Sequence, residues 1–139
     1  MPELKFETGL VTYDLNGKCE VSFNPTDSDF VKRLFDAFDY LDKKQEAYKE
    51  EIEKTADKKQ VFEIAQSRNK EMRELIDGLF GVPVCDAVFG NMNVYALADG
   101  LPVWCNLMLA LMDEVDTTFA REQKATNGRI TKYTAKYKK

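Results

Sequence analysis

The longest apolar stretch of the chain, Leu101 to Phe119, predicts the helix around which the rest of the protein packs. Between Val103 and Met112 its only polar side chain is Asn106. A helix that is apolar over most of its circumference belongs in a protein interior. The apolar run is too short to cross a membrane, which needs about 20 apolar residues.

Beyond an acidic turn the pattern of this stretch narrows to one side of a helix. We therefore expect a central helix whose first half is enclosed and whose last turns reach the surface. The residues of the narrower stripe are Met108, Met112, Val115 and Phe119.

The start of the chain has the composition of a β-ribbon. Val11 to Leu15 and Lys18 to Phe23 are β-favouring segments joined by Asn16-Gly17, which suits a type I′ turn because both of its central positions need positive φ. Leu4 and Phe6 indicate a third short strand. Because an isolated ribbon is only marginally stable, we expect it to lie on a helix.

A first long helix is predicted after Asn24-Pro25. Thr26 is the expected N-cap, with Asp29 in the capping-box position. The apolar residues that follow have helical spacing with one gap, at Gln45. They are Val31, Leu34, Phe35, Phe38, Leu41, Tyr48 and Ile52.

Asp57 is the expected cap of a second helix. Since no Gly or Pro separates the two helical patterns, one very long helix is the alternative, but average helix lengths favour an antiparallel helical hairpin. Arg68 falls within the second stripe, where we expect its stem over apolar surface and its head in water. The apolar residues of this helix are Val61, Ala65, Met72, Leu75, Ile76, Leu79 and Phe80.

Glycine and proline punctuate the segment that follows. Gly78, Gly81 and Pro83 are predicted to end the second helix. Val84 to Phe89 then indicates a short helix that stops at Gly90.

A second short helix is predicted from Val94 to Ala98, with Gly100 as its C-terminal glycine and Pro102 in the first turn of the central helix.

These patterns together predict a mainly α fold. It consists of a small N-terminal β-hairpin and a long helical hairpin packed on a buried C-terminal helix. We expect one domain over residues 1–124 and a mobile basic tail over 125–139.

Composition limits the function. A chain of 139 residues can bury a core without disulfides or metal. From Gln123 to Lys139 there are six basic residues and no acidic one, so the net charge of −4 leaves −10 on the remaining body. Such a body repels phosphate backbones, so nucleic acid is expected to bind only weakly, through the tail. We expect no signal peptide and no membrane span.

Candidate catalytic chemistry is sparse. The chain has no histidine, which removes the commonest general base and zinc ligand. Cys19, Cys85 and Cys105 are widely spaced and are expected to be reduced thiols, partly buried as small hydrophobes. We therefore predict a protein that is not an enzyme, with no catalytic, cofactor or metal site.

Partner binding is the remaining hypothesis. The distal ends of the two long helices carry apolar side chains with few other apolar residues near them in the sequence. Either they form an interaction surface or they pack on each other within the helical hairpin. A polar corner follows Phe89 and is the second candidate surface. The predicted partner-binding residues are Tyr48, Ile52, Val61, Phe62, Phe89, Asn91, Asn93 and Tyr95.

The layout of nearly the whole chain also resembles a known family. The segment FNPTDSDFVKRLFDAFDYLDKKQEAYKEEI precedes a glycine-ended helix, a VFG turn, the corner GNMNVYALADG and an apolar helix with a basic tail. This order is similar to that of small proteins of phage and prophage tail modules in Gram-positive bacteria. The family in question is the tail assembly chaperones, which are encoded just before the tape measure protein.

The resemblance implies a helical, non-enzymatic, multimer-forming protein in the cytoplasm of the host bacterial cell. It would coat the tape measure protein until tail tube subunits polymerise, so its expected partners are the tape measure or tail tube protein, with homo-oligomers possible in addition. Two alternatives stay open: a structural tail component of the virion, or a phage-encoded inhibitor that binds a host protein.

Overall fold

The computed structural model describes residues 1–137 and has the predicted fold class, mainly helical with a small N-terminal β-hairpin. Lys138 and Lys139, the last residues of the predicted tail, lie outside the described residues. In chain order the elements are β1 (Val11–Leu15), β2 (Cys19–Phe23), α1 (Ser28–Glu53), α2 (Lys58–Phe80), α3 (Val84–Phe89), β3 (Leu97–Ala98), β4 (Leu101–Pro102), α4 (Val103–Lys124) and α5 (Arg129–Tyr137).

Helix α4 is the central helix, as predicted, but only one of its faces is enclosed. Val103 and Leu107 are half-buried and Ala110 is exposed, so the expected burial around the whole first half is wrong. The buried side of the last turns of α4 also differs from the predicted narrower stripe, since Thr118 is buried while Phe119 is exposed. The buried residues of α4 are Trp104, Cys105, Met108, Leu111, Val115 and Thr118.

Trp104 explains the gap in the apolar stripe of α1. The indole is buried, and its Nε1 donates a hydrogen bond of 2.8 Å to Gln45 Oε1. The Phe38 ring lies 5.9 Å from the indole, between centroids. Gln45 therefore satisfies a donor that an apolar residue would leave unpaired. Phe35, by contrast, is 43% exposed and does not belong to the core as predicted.

The predicted helical hairpin is confirmed: α1 ends at Glu53, and Asp57 caps α2 by accepting a 3.0 Å bond from the Lys59 N–H. The predicted cap of α1 is wrong. Asp27 is the N-cap, while Thr26 donates through its N–H and its hydroxyl to Asn24 Oδ1, each at 2.8 Å. The Asn24 side chain thus holds Thr26 in a turn before the helix.

The β-hairpin matches its prediction closely. Asn16 and Gly17 have φ of 55° and 70°, and the Lys18 N–H donates to Leu15 O. Strand pairing resumes only at Cys19, so Lys18 lies outside the ladder. The inner face of β2 lies on α1, where the rings of Phe23 and Phe30 stack with centroids 4.3 Å apart.

The third strand predicted from Leu4 and Phe6 does not form. These side chains are 89% and 80% exposed, and residues 1–10 contain no strand. Gly9 has φ of 71°, and a Cβ there would lie 2.6 Å from Asn24 Nδ2. Strand pairing therefore begins at Val11, and residues 1–10 do not extend β1.

The helix predicted from Val94 to Ala98 is wrong as well. The segment is a turn followed by the short strand β3, which pairs with β4 so that Ala98 faces Leu101. Asp99 and Gly100 have φ of 56° and 78°, so they form a two-residue hairpin turn. The Asp-Gly dipeptide is a strong hairpin signal, and it overrides the weak helical pattern before it.

The helix ends around α3 follow the prediction with two adjustments. Gly81 ends α2 in the left-handed conformation with φ of 71°, whereas Gly78 lies inside α2. Helix α3 spans Val84–Phe89 and stops at Gly90, as predicted. Pro102 occupies the N-cap of α4, one position before the helix.

The cysteines and the tail complete the fold. All three cysteines are free, and burial is the main reason that the pKa of the Cys85 thiol rises to about 12. Helix α5 occupies part of the segment predicted as a mobile basic tail, and the residues from Ala125 to Lys136 are exposed. The mobility of this segment stays a prediction.

Candidate functional site

An open apolar groove runs along the uncovered flank of α4. Val103, Leu107 and Ala110 form its floor, and its volume is about 530 Å³. We call this surface the α4 groove. The all-round apolar pattern of α4 exists because one face packs into the core while this flank remains available at the surface.

Two separate parts of the chain form the walls of the α4 groove. Tyr13 and Leu15 of β1 line one side, while Val88 and Phe89 of α3 and the following Met92 line the other. The Met92 side chain is 49% exposed. The groove thus presents apolar surface to solvent in a concave shape, as binding sites generally do.

Arg73 of α2 holds the α3 wall in place. Its Nη2 donates to the carbonyl oxygens of Gly90 and Met92, each at 2.6 Å, and its Nη1 contacts Asp86 at 3.0 Å. Only 14% of the Arg73 side chain is exposed. Because one guanidinium binds three groups of this corner, Phe89 and Met92 are fixed relative to α2.

Two further side chains of α2 attach the same region. Asp77 Oδ1 accepts from the N–H of Cys85 at 2.9 Å, at the start of α3. Asn69 Oδ1 accepts from the N–H of Val94 at 2.8 Å. Side chains of α2 therefore accept hydrogen bonds from two backbone N–H groups between α3 and β3, and the groove wall is built before any partner arrives.

The polar groups of the α4 groove are few. Asp14 is its charged lining residue, and Asn106 donates to Ala98 O at 2.8 Å. On the α4 helix, Glu114 follows Ala110 by four residues, so it lies on the same flank where the groove floor ends. An apolar floor with acidic residues near it suits a ligand with an apolar face and cationic edges.

Of the eight residues predicted to bind a partner, Phe89 alone lines the α4 groove. Asn91 is exposed and lines a separate polar cleft between α2 and α3. Asn93 supports the backbone, because it accepts from the Tyr95 N–H at 2.9 Å and donates to Ala65 O at 3.2 Å. The corner predicted as one surface is therefore divided between the groove and internal packing.

The predicted row at the distal ends of α1 and α2 is mostly half-buried. The rings of Tyr48 and Tyr95 pack with centroids 4.6 Å apart, and burial raises the pKa of the Tyr95 hydroxyl to about 12. Ile52 and Val61 are half-buried, while Phe62 is 69% exposed. The structure thus joins the two predicted surfaces at Tyr48 and Tyr95 and leaves Phe62 as the exposed member of the row.

The Arg68 side chain is 36% exposed, so its head reaches solvent in part, as predicted, but the head also ties α1 to α2. Its guanidinium pairs with both carboxylate oxygens of Glu51, at 3.0 and 3.2 Å, and with Glu71 at 2.8 Å. Lys44 approaches the other oxygen of Glu71 at 2.6 Å. The hydrogen bonds from Arg68 and Lys44 lower the pKa of Glu51 and Glu71 respectively.

Sequence reasoning missed most of the α4 groove. Met92 carried a signal, as an apolar residue inside a polar corner. Leu107 and Val103 were assigned to the interior because both are apolar. The sequence does not indicate which flank of an apolar helix the rest of the protein will cover. Arg73 was missed because its partners, two backbone carbonyls and the Asp86 carboxylate, lie 13 to 19 residues further along the chain.

Comparisons with protein-family models, with curated proteins and with solved structures found no match to this chain. Within residues 1–137, none of the helices combines the length and the apolar content that crossing a bilayer requires.

Proposed function

We propose that this protein is a non-enzymatic phage tail assembly protein that binds an amphipathic helix of the tape measure protein in the α4 groove. By covering the apolar stripe of that helix, it keeps the tape measure protein from aggregating until the tail tube forms. The observation that carries the proposal is the open, preformed apolar groove on a helix that is otherwise central to the core.

The dimensions of the α4 groove support a helical partner. From Val103 to Ala110 the floor rises by about 10 Å, or two helical turns. Two turns of an amphipathic helix present apolar side chains at i, i+3, i+4 and i+7. The two walls of the groove, from β1 and from α3, provide contacts on the two sides of such a stripe.

The charge of the protein favours a partner with basic residues beside its apolar stripe. Outside the basic C-terminal segment the chain carries a net charge of −10. Asp14 lines the α4 groove itself. The acidic surface also keeps a chaperone and its cargo soluble, because like-charged complexes repel one another.

Reversible binding is a requirement of this function, since the tail tube must displace the protein. A groove of two helical turns gives modest affinity for each copy, and many copies along one long helix supply the avidity that keeps it covered. The family resemblance supplies the identity of the cargo, and the groove supplies the mode of binding.

The proposal is tested by co-purification of the full chain with amphipathic segments of the tape measure protein from the same tail module. Met92→Asp places a charge in the α4 groove on an exposed side chain, and we expect at least a tenfold loss of binding. The matched control is Phe62→Asp, which places the same charge on a more exposed aromatic residue outside the groove. Circular dichroism of both variants should match that of the unmodified protein.

Four outcomes are informative. Loss of binding in Met92→Asp alone supports the groove as the site. Loss in Phe62→Asp alone moves the site to the distal ends of α1 and α2. Full binding by both variants contradicts the α4 groove as the binding site. Stoichiometric copies of the protein in purified virions by mass spectrometry contradict the chaperone proposal and favour a structural tail component.

A further inference from the structure

A second concave surface lies on the other side of the β-hairpin, along the outer edge of β2. Five consecutive residues, from Glu20 to Asn24, line it, so the cleft follows the strand backbone. Its volume is about 700 Å³. We call it the β2 cleft, and its apolar lining comes from Leu10, Val21, Phe23, Phe30, Leu79, Phe80 and Val82.

The edge of β2 that faces this cleft has no strand beside it. Among residues 1–137, β2 pairs with β1 alone in a two-stranded sheet. An unpaired edge presents a row of backbone donors and acceptors to another strand. Val82, at the far wall of the cleft, is also exposed.

The N-terminal arm, residues 2–7, has the pattern of a strand without the pairing of one. Leu4 and Phe6 alternate with Glu3, Lys5 and Glu7, which is the two-residue period of a half-buried strand. Both apolar side chains are exposed by four-fifths or more.

The arm precedes the paired part of its own β-hairpin, because strand pairing begins only at Val11. The carboxylate of Glu7 accepts from the Gly9 N–H at 3.0 Å, and Asn24 Nδ2 donates to Thr8 O at 2.9 Å. These bonds anchor the base of the arm beside the end of β2, and the arm projects from there with its apolar side chains in solvent.

We propose that the N-terminal arm of one copy pairs as a third strand with β2 of a second copy, and that Leu4 and Phe6 fill the β2 cleft of that copy. The arm and the edge match face by face. β2 points Val21 and Phe23 inward and Glu20 and Ser22 outward. With Leu4 and Phe6 inward, Lys5 points outward beside Glu20, which gives an opposite-charge pair across the strands.

This inference is independent of the proposed function, because the β2 cleft and the α4 groove share no lining residue. Exchange of an arm between identical copies is a heterologous contact, since the arm and the cleft are different surfaces. Such contacts either close into a ring or a mutual dimer, or continue as a filament.

The first test is the mass of the full chain by light scattering, up to about 100 µM. We expect at least twice the monomer mass of 16.0 kDa. Phe6→Asp should return the mass to that of the monomer, because it places a charge in the β2 cleft. Ile130→Asp is the matched control, since Ile130 is 78% exposed on α5, and it should leave the assembly intact.

The second test mixes two defective proteins. Phe6→Asp keeps an intact β2 cleft, and Val82→Asp keeps an intact arm, so the mixture should form a heterodimer although each variant alone is monomeric. A charge swap provides a milder check: Glu20→Lys should weaken assembly by about fivefold at most, and Lys5→Glu in the same chain should restore it.

The inference is overturned by any of three results. These are a monomer at every concentration, an assembly that survives Phe6→Asp, or a mixture of the two defective variants that stays monomeric. A heterodimer in the mixture supports it even if Glu20→Lys disturbs folding, because the mixing experiment does not use that variant.

Discussion

Single polar side chains inside the apolar stripes of α1 and α2 act as partners for buried groups. Gln45 accepts from the Trp104 indole, and Asn69 accepts from the N–H of Val94. Within the described residues, every buried side-chain nitrogen or oxygen has a hydrogen-bond partner. An interruption of an apolar stripe therefore marks a specific tertiary contact in this protein.

Replacing Gln45 tests this role at the level of one residue. Gln45→Ala leaves the buried Trp104 N–H unpaired, and we expect a loss of about 1–3 kcal/mol in the free energy of unfolding. The measurement is urea denaturation followed by circular dichroism. Gln60→Ala, at an exposed position of α2, serves as the control with a change below about 0.5 kcal/mol. Equal effects of the two substitutions would mean that the indole finds another acceptor.

At the scale of elements, short turn signals decide where helices end more reliably than apolar spacing decides which residues are buried. The predicted turn at Asn16-Gly17 and the predicted end of α3 at Gly90 are confirmed. The prediction for Val94 to Ala98 failed because Asp99-Gly100 forms a β-turn. Phe35 and Phe119 were placed inside by spacing, yet small rotations of α1 and α4 leave them at the surface.

The two glycines near the end of α2 should respond oppositely to alanine. Gly81 has φ of 71°, so Gly81→Ala forces a left-handed conformation and should destabilise the protein by about 1 kcal/mol. Gly78 is helical with open space around its Cα, so Gly78→Ala should stabilise by about 0.5–1 kcal/mol. Thermal denaturation of both variants measures the difference. Destabilisation by Gly78→Ala would contradict the placement of this residue inside α2.

At the scale of the whole molecule, the β-hairpin forms a wall of both concave surfaces. Tyr13 and Leu15 of β1 line the α4 groove, and Val21 and Phe23 of β2 line the β2 cleft. If an arm from a second copy adds to β2, the hairpin becomes a three-stranded sheet that is more stable than a two-stranded one. Assembly would then also strengthen one wall of the α4 groove.

The C-terminal segment is expected to be dispensable for folding. Residues 125–136 are exposed, so a chain that ends at Lys124 should lose no core contact. We expect its melting temperature to change by less than about 2 °C, because a loss of 1 kcal/mol would already shift it by several degrees in a domain of this size. A larger decrease in melting temperature would show that α5 packs on the domain.

The local pattern of the chain determined the fold class, the order of most elements and the existence of a central helix, because periodicity and turn chemistry act over a few residues. It also identified Phe89, one residue of the candidate site. The tertiary structure alone decided which flank of α4 stays uncovered, how Arg73 fixes the α3 wall of the groove, and that Leu4 and Phe6 remain exposed. Those outcomes depend on contacts between residues far apart in sequence, and an apolar side chain has the same local signature whether its neighbours cover it or leave it exposed.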